Sequence, residues 1–424
     1  MKLKQFQGIH GVLAIASLAS VFSAANCSAG GTGDGEVGGP GISDPGNDGR
    51  DGSASPGTNA PSPNQPNADH DPGPPAVRFV GRFDTRDPSG PSCAWPGGRI
   101  LANFDGTEVS VTLNELVDSW MQGGPSEWDL AIDGEWKPKL VLATGKQTYK
   151  LATALPPGTH RVELFKRSEA QNGVTQFLGF DFGAGKLLPP PLSAGRRIEI
   201  VGDSTPAGYG IDGASIGPNC PPPSWAAHWE NFHESFSAHL GDIFAAEVVG
   251  TAYSGKGLVK NVNRPDTMTV PRIFQLTNPL DPTSTFDFGS WTPDLVIIMA
   301  GSNDYAIGEP VDDGPPPFDE FIAALRGLVA DIRSHYPNAY VLYAISPSVT
   351  DDDPPGRGSR TNLTTAMTML ADDSAKNGDA RFMTASPPIA TPDEVTGCNG
   401  HGTPAFHDRV ARQLAEVISA KMGW

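Results

Sequence analysis

Basic residues are in short supply in this chain: of 424 residues, 30 are Lys or Arg against 48 Asp or Glu, a formal net charge of -18 at pH 7. Neutralising a phosphate backbone takes clustered cations, so the composition argues against a nucleic-acid partner, and its acidity favours solubility while repelling anionic polymers. Cysteine is rarer still. The four residues Cys27, Cys93, Cys220 and Cys398 suit an oxidising compartment without suggesting a disulfide framework. Beyond residue 25 no apolar run approaches the length that spans a bilayer, so any membrane association would have to come from a lipid.

Glycine and proline, at 50 and 41 residues, are plentiful instead. In residues 28–76 they mix with Asp, Asn and Ser and almost no large apolar side chain. Such a stretch cannot bury enough surface to offset the entropy of ordering, and is expected to be an extended, flexible tether. Ahead of it, Lys2 and Lys4 precede an apolar segment at 12–25 that matches a secretory h-region, so residues 1–27 read as a signal peptide. The mature protein is expected to be secreted or attached to the cell envelope. Two processing routes are open: Ser23-Ala24-Ala25 suits simple cleavage, whereas Cys27 offers a lipidation site that Ala24 and Asn26 fit poorly.

Residues 77–192 alternate apolar and polar side chains in short runs divided by turn signals, as in Ile100-Leu101-Ala102-Asn103-Phe104, Val109-Ser110-Val111-Thr112-Leu113 and Arg161-Val162-Glu163-Leu164-Phe165. Many strands without a long helical period predict a β-sandwich, closed by the stiff connector Leu188-Pro189-Pro190-Pro191-Leu192. Over 193–424 the period becomes strand, loop, helix, repeated, which predicts a doubly wound parallel sheet. Leu295-Val296-Ile297-Ile298-Met299-Ala300 is apolar throughout, as a strand covered on both faces should be. Trp225, Trp229, Phe232, Phe236, Leu240 and Phe244 recur at helical spacing behind Ser224, and predict one helix there. Thr403-Pro404 opens a last helix.

Chemistry-bearing residues gather at the predicted carboxyl ends of strands, where open parallel sheets bind ligands. The strand at 198–201 runs into Gly202-Asp203-Ser204, and the duller alternative to a nucleophile is a turn serine capping a helix. After 295–300 come Gly301-Ser302-Asn303-Asp304, in which the Asn303 amide can face a developing oxyanion as a neutral donor. Gly255, in Tyr253-Ser254-Gly255-Lys256-Gly257, offers a backbone N–H unobstructed by a side chain. His401 precedes the last helix, and an imidazole is what a weakly nucleophilic serine needs to take its proton. Among the nine histidines, His228, His233 and His239 carry no zinc-site spacing and read as surface or packing residues, while His407 is expected to be solvated or salt-bridged.

Gly202-Asp203-Ser204, Gly255, Gly301-Ser302-Asn303-Asp304 and His401 resemble, in order, the four blocks of SGNH hydrolases. The preceding segments Arg78-Phe79-Val80-Gly81-Arg82, Ala102-Asn103-Phe104-Asp105-Gly106-Thr107, Ile132-Asp133-Gly134 and Lys166-Arg167-Ser168-Glu169-Ala170 resemble the N-terminal jelly-roll of carbohydrate esterase family 2. The resemblance spans about 77–424. It implies a serine esterase with nucleophile Ser204, base His401 and an oxyanion hole of the Ser204 and Gly255 N–H groups with the Asn303 amide. It implies no metal or organic cofactor, and a substrate of acetylated polysaccharide or oligosaccharide, of xylan, mannan or glucomannan type. Trp225, Trp229, Trp291 and Tyr305 are candidates for stacking on sugar rings, although the first two sit at core spacing.

Three questions stay open in the residues. A catalytically silent carbohydrate-binding protein and a lipase or thioesterase share this fold; a glycosidase would need two facing carboxylates that no pair here suggests. A Cys220–Cys398 disulfide is expected, since both lie in loops near the proposed site, leaving Cys93 unpaired. Where many SGNH hydrolases carry an Asp before the histidine, Asn399 stands here, so His401 is oriented by Asn399, by a backbone carbonyl or by Asp393.

Overall fold

The computed structural model describes residues 74–118, 121 and 123–424. The signal peptide, Cys27 and nearly all of the expected tether lie outside the described residues. Strands β1 (Arg78–Val80), β2 (Phe83–Asp84), β3 (Ser92–Cys93), β4 (Arg99–Gly106), β5 (Val109–Leu116), β6 (Glu127–Ile132), β7 (Glu135–Val141), β8 (Gly145–Ala152), β9 (Gly158–Lys166), β10 (Val174–Asp181) and β11 (Lys186–Leu187) form two antiparallel sheets. One runs β1-β4-β9-β6-β7 with β11 also on β4, and the other runs β2-β3-β10-β5-β8. Val109, Val111 and Leu113 of β5 bury one face against Phe104, Trp128, Val162 and Leu164, while Ser110 and Thr112 between them stay partly exposed. That period of two is what makes a sandwich core from alternating sequence.

The second half is a five-stranded parallel sheet of β12 (Arg196–Gly202), β13 (Ala246–Ala252), β14 (Leu295–Met299), β15 (Tyr340–Ala344) and β16 (Phe382–Ala385), in the order β13-β12-β14-β15-β16. Its helices are α1 (Ser204–Ala207), α2 (Phe236–Phe244), α3 (Val270–Ile273), α4 (Phe318–His335), α5 (Ser359–Lys376) and α6 (Pro404–Met422). Leu295, Ile297 and Met299 meet α2 and α6, whereas Val296 and Ile298 meet α3, α4 and α5. Covered on both faces, β14 has no polar side, which explains its unbroken apolar run. The strand order reverses at β12, and such a switch point leaves a crevice at the strands' carboxyl ends.

The helix expected from Trp225 onward is corrected: α2 begins only at Phe236, and two short 3-10 turns, Ala227–Trp229 and Phe232–Glu234, precede it. Their backbone is engaged elsewhere. The Ala227 N–H donates to the Gly123 carbonyl and the Phe232 N–H to the Arg167 carbonyl, both in the sandwich, so the i to i−4 ladder gives way to tertiary partners.

Polar ties also fuse the two halves. Arg82 of the sandwich, almost wholly buried, donates to Glu199 of β12 at 2.7 Å and to the carbonyls of Phe274 and Leu276. Phe165 of β9 packs edge-on against Phe232.

Candidate active site

β12 ends at Gly202, whose missing Cβ is required, because a Cβ there would stand 2.2 Å from the Met299 carbonyl oxygen. Asp203 then leaves the strand and caps α1 by accepting the Thr205 N–H, so the aspartate rather than the serine does the capping. Ser204 is left half-buried with its hydroxyl free for another task. The Asp203 carboxyl is pushed up to about 6 by burial, although it accepts the Ser302 hydroxyl at 2.7 Å.

The partner of Ser204 arrives from 197 residues away: His401 Nε2 lies 2.7 Å from Ser204 Oγ. On the other side of the ring, Nδ1 lies 2.9 Å from the Cys398 carbonyl oxygen. A carbonyl can only accept, so Nδ1 carries the proton and Nε2 keeps the lone pair that faces the serine. Burial holds the His401 pKa below its ordinary 6.5, which keeps the ring neutral at neutral pH with its Nε2 lone pair free to accept a proton. The Tyr209 ring lies 4.5 Å from the imidazole and supplies part of that burial.

Neither side chain expected to orient His401 does so. The Asn399 amide donates instead to Tyr209 Oη at 2.9 Å and to Ser224 Oγ, and Asp393 is exposed without a bond to the ring. The backbone carbonyl of Cys398 takes that place. Cys398 is held by a disulfide to Cys220, by its N–H to the Gly210 carbonyl, and by the turn closed between Gly397 and His401. Cys93 is a buried free thiol in the sandwich.

The loops after β13 and β14 face the same crevice. Asn303 donates through Nδ2 to the Lys256 carbonyl at 2.9 Å, which leaves its second amide hydrogen uncommitted. Asp304 accepts the N–H groups of Leu258, Val259 and Lys260 and so pins the neighbouring loop. Among the described residues the N–H groups of Ser204 and Gly255 have no protein acceptor. Ser204, His401, Gly255 and Asn303 line one open cleft of about 700 Å³, together with Trp225, Lys256, Asn261, Asp266 and Glu309. A serine hydroxyl bonded to a neutral imidazole can pass its proton on attack, and three uncommitted donors beside it can bind an oxyanion.

Of the four aromatic stacking candidates only Trp225 lines the cleft, 42% exposed. Tyr305 is buried in the core beside Phe321, Trp291 packs on Val80, Leu101 and Val249 where the two halves meet, and Trp229 covers the disulfide. His407 is corrected as well. It is neither solvated nor salt-bridged but buried where α6 meets α2, accepting the Phe236 N–H at Nδ1, and burial pushes its pKa down to about 3. Sequence reasoning also missed Tyr209, which lies only five residues after Ser204 but meets His401 by folding.

Two family models match this chain, carbohydrate esterase 2 N-terminal over residues 79–191 and GDSL-like lipase/acylhydrolase over 200–409. The structure of a family two carbohydrate esterase from Clostridium thermocellum, in complex with cellohexaose, superposes with a TM-score of 0.73 at 30% identity, covering 82% of this chain and 100% of that one. The chain belongs to carbohydrate esterase family 2. Among curated relatives of this family 2 chain, cellulase/esterase CelE of Acetivibrio thermocellus is 31% identical over 351 residues, 82% of this chain and 40% of that protein. An acetylxylan esterase / glucomannan deacetylase of Cellvibrio japonicus is 26% identical over 239 residues, 56% of this chain and 63% of that protein. The family 2 chain thus spans less than two thirds of either curated relative. None of its described helices is long and apolar enough to cross a membrane.

Proposed function

We propose that this protein is an exported serine esterase that removes O-acetyl groups from polysaccharide or oligosaccharide of xylan, mannan or glucomannan type. The hydrogen bond between His401 Nε2 and Ser204 Oγ at the cleft wall carries this reading. Ser204 attacks the acetyl carbonyl while His401 takes its proton and returns it to the leaving sugar hydroxyl; water then repeats the sequence on the acetyl-enzyme. The N–H groups of Ser204 and Gly255 and the free hydrogen of the Asn303 amide stabilise the oxyanion. The cleft is open and rich in polar side chains, which suits a decorated sugar chain better than a long acyl tail, and Trp225 at its lip supplies a flat apolar face for a pyranose ring. Export, through the segment at 12–25, would bring the enzyme to such polymers.

Release of acetate from acetylated glucomannan and xylan, beside hydrolysis of 4-nitrophenyl acetate and a Ser204→Ala control, tests the reading. A clear preference for acyl chains of eight or more carbons would overturn the substrate class. A second reading, in which the cleft binds glucan chains without cleaving them, is favoured by the cellohexaose held by the C. thermocellum relative. Calorimetric titration of the wild-type protein with cellohexaose, beside its acetate release, tests that reading: binding without any ester hydrolysis supports it.

A further inference from the structure

The sandwich segment Lys166-Arg167-Ser168-Glu169 reaches Ser254, a residue of the cleft wall. Glu169 is fully buried and accepts twice from one residue of the loop after β13: from the Ser254 N–H at 2.5 Å and from the Ser254 hydroxyl. It is itself held from behind. The Glu169 N–H donates to Glu230 Oε2 at 2.7 Å, Gln171 Nε2 donates to Glu230 Oε1, and the buried Lys166 ammonium donates to the Ser168 carbonyl at 2.7 Å.

We propose that Glu169 is a positioning residue, through which the sandwich domain sets the direction of the Gly255 N–H in the hydrolase cleft. The inference rests on the reading of Gly255 as an oxyanion donor. Gly255 has φ +76°, and a Cβ there would meet nothing nearer than Val262 Cβ at 3.9 Å. Glycine adopts this sign of φ at little cost, so the conformation itself stores no strain. The Tyr253 N–H is tied to the Gly202 carbonyl before the turn, and the Gly255 carbonyl to the Val262 N–H after it. Between these anchors a long bond from the Lys256 N–H to the Tyr253 carbonyl, 3.4 Å, closes the turn, and the grip of Glu169 on Ser254 adds the two short bonds that hold it. A carboxyl group suits the task because both of its oxygens can accept, one from the N–H and one from the O–H, where an amide would oppose one of them with an NH2 donor.

The purified full chain is compared with Glu169→Gln and Ser254→Ala on 4-nitrophenyl acetate, with hydrogen exchange of residues 253–257 followed by mass spectrometry. Glu169→Gln is expected to lower kcat about 10- to 100-fold with KM within about twofold, and to raise exchange of the 253–257 peptide at unchanged exchange of β5. Ser254→Ala, which keeps the N–H bond, should lose about tenfold in kcat, and the double variant less than the product of the two losses. A folded Glu169→Gln with wild-type kcat and unchanged exchange overturns the proposal, as does a kcat loss accompanied by exchange raised throughout the sandwich, which marks a structural role. If the wild-type protein hydrolyses no acetyl ester, the esterase reading fails, and the exchange of 253–257 still decides whether Glu169 holds the turn.

Discussion

His401 donates its Nδ1 proton to the main-chain carbonyl of Cys398, 2.9 Å away, and not to a carboxylate. A peptide oxygen fixes the tautomer and the tilt of the ring as a carboxylate would, but carries no full charge to stabilise the imidazolium. The proposed machinery is therefore a Ser-His dyad helped by backbone.

Removing either member of that dyad should remove most of the chemistry. Ser204→Ala and His401→Ala are each expected to lower kcat on 4-nitrophenyl acetate by several orders of magnitude, and the double variant little further, because the two act as one unit. Most of the activity surviving in either single variant would refute the mechanism.

Asn399 should matter far less. Its amide serves Tyr209 and Ser224, so Asn399→Ala is expected to cost no more than about a hundredfold in rate. Its backbone lies at φ 54°, where a Cβ is strained, so Asn399→Gly should lose less than Asn399→Ala. A loss equal to that of Ser204→Ala, in a folded protein, would make Asn399 indispensable.

The Cys220–Cys398 disulfide closes a separation of 178 residues, which in the chain-entropy model is worth about 5 kcal/mol. Because Cys398 also supplies the carbonyl that orients His401, Cys220→Ala should lower kcat as well as Tm. Calorimetry and kinetics with and without reductant check both, and an unchanged kcat would show that the Gly210 and Gly397 contacts suffice to hold Cys398.

The pH profile follows from His401. Its pKa is held below 6.5 by burial, and the ring must be neutral to accept the serine proton. The acid limb of kcat/KM is thus expected to have its midpoint below pH 6.5, with activity kept as pH rises toward neutrality. A midpoint above 6.5 would mean that the cleft stabilises the imidazolium.

Stability should run the other way. Burial pushes Glu230 up to about 7 from an ordinary 4.5, with Glu169 also raised, and the buried Lys166 is the ammonium facing the two. Tyr209 and Tyr253 face them as neutral phenols. The folded chain then holds a proton that the unfolded chain releases above 4.5, so this contribution is complete below pH 4.5 and is lost as pH rises through 7. Asp203 and Asp304, each pushed up to about 6, add to the same trend, while His407 and His401, held below 6.5 by burial, oppose it only up to about pH 6.5, so the fall is sharpest above that pH. Tm is expected to be lower at pH 8 than at pH 5, and Glu230→Gln should narrow the difference. A Tm that rises over this interval would show the pair to be ionised.

Local signals were enough for much of this molecule. The apolar run of β14, the glycine turn after β12 and the Thr403-Pro404 helix start are all written within a few residues, because strand burial, tight turns and caps depend on near neighbours in the chain. The residue types at Ser204, Gly255, Asn303 and His401 pointed to one chemistry, and their order suggested one sheet edge. Folding alone decided the remainder. A main-chain carbonyl belongs to every residue, so no residue type could mark Cys398 as the partner of His401. The run from Trp225 to Phe244 kept its helical spacing, yet hydrogen bonds to Gly123 and Arg167 drew the first part away from a helix. Glu169 meets Ser254 across 85 residues of chain, and its carboxylate acquires a role only where burial removes water as a competing partner.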